Sequence, residues 1–171
     1  MKKPNNNMWL VLTNRIVLFF IISFLNVSFS SNFYKENKYM SSKYDEVNVR
    51  SGPGKSFKII YRYKVKGLPL IVLGKYDNWY KVKDLKNNIG WVSDHLLSKT
   101  RTVITLNENN FIFKDKKIAK SYPLFKADKN VTLKLIKCSK DVCKVNIKKK
   151  NGWIRKSDIW GWDETLLGNI L

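Results

Sequence analysis

The 171-residue chain is poor in the residues that most enzymes rely on: two cysteines, one histidine (His95), and 13 Asp and Glu against 33 Lys and Arg. A metal site built on Cys138 and Cys143 would need two more ligands, and His95 lies in the other half of the chain. With both cysteines close together and His95 distant, no Cys–His nucleophile pair is expected. The carboxylates are scattered, with Glu46, Asp77, Asp94, Asp141 and Asp158 at turns or strand ends, and spacing alone joins no two as an acid/base pair. Gly52-Pro53-Gly54-Lys55-Ser56 only superficially resembles a phosphate loop: it lacks the four-residue gap, and Pro53 removes an N–H that phosphate would need. The reading is non-enzymatic, with no cofactor and no metal.

What is abundant is lysine, which dominates a net charge of +20. Such charge attracts anionic surfaces, whether nucleic acid, headgroups or acidic polymers. Alanine occurs only at Ala119 and Ala127 while Lys, Asn and Ile abound, which is also what AT-biased codon usage yields. Charge alone therefore assigns no partner.

The one long apolar run, Ile16 to Leu25, follows Lys2, Lys3 and Arg15 and precedes Ser28-Phe29-Ser30. A basic start, a short apolar middle and a small-residue end predict a secretory signal peptide over 1–30, cleaved near Ser31, and hence a periplasmic protein. The alternative is an uncleaved inner-membrane anchor, for which the run falls short of the ~20 residues that span a bilayer. Cleavage would leave 30 positive and 13 negative residues, +17. Domain boundaries are expected at 31–43 (N-terminal segment), 44–101, 102–162 and 163–171 (tail).

Val47-Asn48-Val49-Arg50-Ser51-Gly52-Pro53-Gly54 reads as a strand entering a sharp loop. The φ of Pro53 is fixed, so at least one flanking glycine is expected at positive φ. Two more alternating strands follow at Asp77-Asn78-Trp79-Tyr80-Lys81-Val82 and Ile89-Gly90-Trp91-Val92-Ser93. In this order the three segments resemble the bacterial SH3-like family of small β-barrels. The resemblance implies an all-β fold, a short 3₁₀ turn at Ser93 to Leu97, and a non-catalytic binding role, some members carrying a hydrolase in a separate domain.

An offset of 63 sets Leu70-Ile71-Val72-Leu73 on Leu133-Lys134-Leu135-Ile136 and Lys81-Val82 on Lys144-Val145; with one residue lost, Gly90-Trp91-Val92 falls on Gly152-Trp153-Ile154. This predicts two tandem SH3-like barrels, packed together because no Gly/Ser or Pro linker divides them. The second copy lacks the Gly-Pro-Gly loop and carries Cys138 and Cys143 at the two ends of a hairpin, within disulfide reach. A redox pair normally has two intervening residues rather than four. Lys137-Cys138, Cys143-Lys144-Val145, Gly152-Trp153-Ile154-Arg155-Lys156-Ser157 and Trp160-Gly161 also resemble the degenerate second unit of secreted two-repeat members, although Val142 stands where those usually have Trp.

Trp79, Trp91 and Trp153 are expected in the barrel cores, with Tyr80 on the face opposite Trp79. Tyr61, Tyr63 and Tyr80 are candidates for a ligand groove. Lys148, Lys149, Lys150, Arg155 and Lys156 are candidates for contact with an anionic surface. The expected function is an exported binding module for a cell-envelope component, a peptidoglycan peptide or an envelope protein. The alternatives are a nucleic-acid-binding barrel, against which the leader argues, and an assembly factor for other envelope proteins.

Overall fold

The computed structural model describes residues 38–147 and 149–163; the expected leader, the tail from 164 onward and Lys148 lie outside the described residues. Short strands alternating inward and outward build two seven-stranded antiparallel sheets. The first comprises β1 (Lys38–Ser42), β2 (Val47–Arg50), β3 (Ile59–Tyr63), β4 (Pro69–Tyr76), β5 (Trp79–Lys83), β6 (Ile89–Ser93) and β7 (Leu97–Ser98). The second comprises β8 (Thr102–Thr105), β9 (Asn110–Phe113), β10 (Pro123–Ala127), β11 (Thr132–Cys138), β12 (Val142–Ile147), β13 (Lys150–Arg155) and β14 (Ile159–Trp160). Strand order is β3-β2-β6-β5-β4-β1-β7 in one and β10-β9-β13-β12-β11-β8-β14 in the other, the same order strand for strand. Each sheet curls into a small barrel around its own apolar cluster.

In the first barrel Val47, Val49, Leu70, Val72, Val82 and Val92 are fully buried, joined by Met40 and Tyr80. In the second, Val103, Ile112, Leu133, Cys143, Val145 and Ile154 form the corresponding cluster. Met40 pairs with Leu70 as Val103 pairs with Leu133. The first barrel therefore begins at Lys38, ahead of the boundary expected at 44, because β1 pairs with both β4 and β7.

The three tryptophans are not core residues: Trp79, Trp91 and Trp153 are half-buried and outside both clusters. Strand parity explains it. Gly90 and Gly152 face inward, where an added Cβ would overlap Val49 Cγ1 and Ile112 Cγ2 respectively. The next residues, Trp91 and Trp153, must then face outward. Tyr80, with 8% exposure, takes the inward place and Trp79 the outward one.

Gly67 and Gly161 are the glycines at positive φ among the described residues, so the expectation for Gly52 and Gly54 fails. Gly54 N–H donates to the Gly52 carbonyl across Pro53 (3.0 Å), a three-residue turn that needs no left-handed residue. At 52 the smallness of glycine matters instead, since the exposed Phe57 ring lies where a Cβ would stand and would have to move aside.

The barrels form one compact unit, with no tether between β7 and β8. Tyr39 and Trp160 meet edge to face at 5.8 Å, and Thr132 Oγ1 donates to the Lys66 carbonyl at 3.1 Å.

Candidate functional site

A cleft of about 410 Å³ opens beside β3, where the first barrel meets the second. Tyr61 and Tyr63 share a face of β3, two residues apart, and both turn toward it. Their rings meet edge to face at 5.5 Å and their hydroxyls stand 3.5 Å apart. Leu68 adds apolar lining, Ile104 and Asn130 come from the second barrel, and Lys64 and Lys86 stand at the rim. Arg62 is already engaged, donating to Asn48 Oδ1 at 2.8 Å and pairing with Glu46 at 3.2 Å.

Asp84, buried beside the tyrosines, is held by its own loop. Its Oδ1 accepts from the N–H groups of Lys86 (2.8 Å) and Asn88 (2.9 Å), and its Oδ2 from Asn88 Nδ2 (3.0 Å). Burial, then the hydrogen bond to Tyr61, then the Asp84 charge push the Tyr63 phenol far above its ordinary range. Burial likewise raises Tyr61. Both remain neutral hydroxyls across physiological pH; the Tyr63 proton is engaged within the Tyr61–Tyr63–Asp84 group, which leaves the half-buried Tyr61 phenol to donate to a ligand. Sequence reasoning placed Tyr61 and Tyr63 here but missed Asp84, whose Asp-Leu-Lys-Asn-Asn turn was the available signal.

Tyr80 does not join them. Tyr63 and Tyr80 both belong to the first core, but Tyr80 does not line the cleft, and its ring is flanked by Lys38 Nζ at 5.1 Å and Lys75 Nζ at 5.6 Å. The cross-strand place that Lys75 and Tyr80 occupy is taken in the second barrel by Cys138 and Cys143. Those two form a disulfide, with Cα atoms 4.0 Å apart.

The candidate basic residues divide into two groups. Lys149 and Lys150 lie at the β12–β13 turn, and Arg155 closes β13 at its other end, roughly 17 Å of strand away. Arg155 and Lys156 instead line a cavity of about 480 Å³ with Lys116, Lys140, Asp141 and Ser157. Lys156, whose Nζ is 4.2 Å from the Trp162 ring centroid, also borders a second cavity with Lys137.

His95 is exposed on the 3₁₀ turn Asp94–Leu96. Its Nδ1 lies 2.9 Å from Ser93 Oγ and 3.9 Å from Asp94 Oδ1. Serine and aspartate thus meet the same ring nitrogen, whereas a catalytic relay needs them on opposite ones. Among the described residues no three His, Cys, Asp or Glu side chains gather as a metal site.

The family model described as bacterial SH3 domain matches residues 45–98. The first barrel is a bacterial SH3 domain. No curated protein matches the chain by sequence. Among solved structures, NlpC1 from Trichomonas vaginalis is 12% identical, with 74% of this chain and 46% of that one covered and a TM-score of 0.33. NlpC2 from the same organism is 13% identical, covering 74% and 48%, also at 0.33. The chain spans about half the length of these two structures. The match to the SH3 family ends at residue 98, so the second barrel is tied to the SH3 domain by its strand order and core.

Proposed function

We propose that this chain is an exported, non-catalytic binding protein whose SH3 domain holds a cell-envelope component in the Tyr61–Tyr63 cleft. The observation that carries the reading is the Tyr61 phenol, a neutral donor backed by Tyr63 and Asp84, set with lysines at the rim of an apolar recess. That chemistry suits a short peptide bearing carboxylates: the Tyr61 phenol donates to a carbonyl, Lys64 and Lys86 meet its charge, and Leu68 and Ile104 take an apolar side chain. A peptidoglycan peptide has these features. Ser93, Asp94 and His95 are not arranged for nucleophilic attack, which supports binding without chemistry.

Co-sedimentation of the chain with purified peptidoglycan tests the reading. Retention on the wall, reduced by Tyr61→Ala, is expected; equal recovery in the supernatant with and without peptidoglycan would overturn it. Export is tested by the native N-terminus, expected near Ser31 by mass spectrometry, whereas retention of Met1 would favour the anchored form.

A further inference from the structure

The two barrels provide an internal control for charge. Lys140, in the β11–β12 turn, stands where the first barrel has Asp77 in its β4–β5 turn. Arg155 ends β13 as Ser93 ends β6, and Lys156 opens its 3₁₀ turn as Asp94 opens the other. The backbone confirms the equivalence: Lys156 N–H donates to the Asp141 carbonyl at 3.0 Å, as Asp94 N–H donates to that of Asn78 at 2.9 Å. Codon drift acts on both barrels alike and does not by itself gather cations at one end of one barrel. Here one barrel carries acid or hydroxyl and the other carries cation.

The loop that differs most adds to the same place. The Gly-Pro-Gly turn of the first barrel is replaced by Lys114 to Ser121, and Lys116 from that loop reaches the cavity beside Lys140, Arg155 and Lys156. Lys156 also borders the neighbouring cavity with Arg101, Lys137 and Asp163, so the two recesses adjoin at Lys156 in one groove whose cations outnumber its acids, Asp141 and Asp163. Among the described residues no carboxylate pairs with Lys116, Lys137 or Lys140 within 4.0 Å; Arg155 approaches Asp158 at that distance.

We infer that the hairpin end of the second barrel binds a flexible linear polymer of closely spaced phosphates, threaded along this groove. Lys116, Lys137, Lys140 and Arg155 are exposed along two concave recesses, a hollow in which a thin chain can lie and which a flat bilayer would not follow. Arg155 offers the planar fork that phosphate oxygens fit, and the lysines add point charges along the path. Stacking of bases is disfavoured because Lys156 already covers the Trp162 ring. This site is separate from the Tyr61–Tyr63 cleft and does not depend on the function proposed there.

Fluorescence anisotropy with labelled inorganic polyphosphate tests it. Binding should weaken steeply with salt, and K140Q/K156Q should lower affinity by about tenfold or more. K149Q/K150Q removes the same charge at the far end of β13 and should change affinity by less than about twofold. Matched thermal melts, and K140D/K156D, which installs the residues the first barrel folds with, separate a lost site from a lost fold. Equal losses from the two pairs would overturn the proposal in favour of diffuse charge. Tighter binding to oligo-dT of matched charge would overturn it in favour of nucleic acid. Tighter binding to phosphatidylglycerol vesicles would overturn it in favour of a membrane surface.

Discussion

Ser42 of the first barrel and Thr105 of the second clamp the same left-handed turn. Ser42 Oγ donates to the Val65 carbonyl (2.6 Å) and accepts from Leu68 N–H (2.9 Å), while its carbonyl accepts from Gly67 N–H (2.9 Å). Thr105 Oγ1 donates to the Asp128 carbonyl (2.6 Å) and accepts from Val131 N–H (2.9 Å), and its carbonyl accepts from Asn130 N–H (3.0 Å). The turn residues Gly67 and Asn130 have φ of 76° and 63°. Removing either hydroxyl leaves a loop N–H and a carbonyl without partners. Ser42→Ala and Thr105→Val should each cost about 1–3 kcal/mol in urea denaturation. No change from either would mean that water replaces the clamp.

The glycines divide by what crowds them. At Gly90 and Gly152 a Cβ would meet the buried core residues Val49 and Ile112 as well as the neighbouring carbonyls of Arg50 and Phe113. At Gly52 it would meet only the exposed Phe57 ring, which can swing away. Gly90→Ala and Gly152→Ala should therefore cost about 1–3 kcal/mol, and Gly52→Ala clearly less. The reverse ranking in thermal melts would contradict the assigned strand faces.

The disulfide should contribute about 2 kcal/mol or less, because it closes a short hairpin. Cys143 is fully buried in the second core and Cys138 is exposed. Cys143→Ser should thus destabilise more than Cys138→Ser, since it also puts a hydroxyl among Val103, Val145 and Ile154. Equal losses in denaturation under oxidising conditions would argue against that burial.

Stability should fall at alkaline pH through Tyr39. Burial, then the Asp163 charge, push its phenol up to about 12, with Arg101 opposing. The folded state holds the proton more tightly than the unfolded one, so this contribution is whole below about pH 10 and is lost as pH rises to about 12. Tyr39→Phe should flatten that part of the pH–stability curve. A slope identical in both proteins would place the phenol in solvent.

The barrel was legible wherever strand alternation was flanked by turn chemistry, as at Val47 to Gly54 and Gly90 to Val92. The disulfide was legible because the hairpin spacing alone sets it. β1 was not, since Ser41 and Ser42 are buried polar residues that break the apolar pattern, and only the clamp explains them. Tryptophan position was misread because size was taken as a guide to burial, while the inward glycines set the face. Arg155 and Lys156 were legible beside the run Lys148 to Lys150, whereas Lys116 and Lys140, which line the same cavity, are distant in sequence and gave no signal.

The central claim is that ligand enters the cleft between Tyr61, Tyr63 and the Asp84 loop. Titration of the isotope-labelled chain with a soluble peptidoglycan stem peptide, followed by amide NMR shifts, tests it most directly. The account predicts saturable shifts concentrated at residues 61–68 and 84–88 and at Ile104 and Asn130. Saturable shifts centred elsewhere, or none at peptide concentrations where the chain still sediments with the wall, would contradict it.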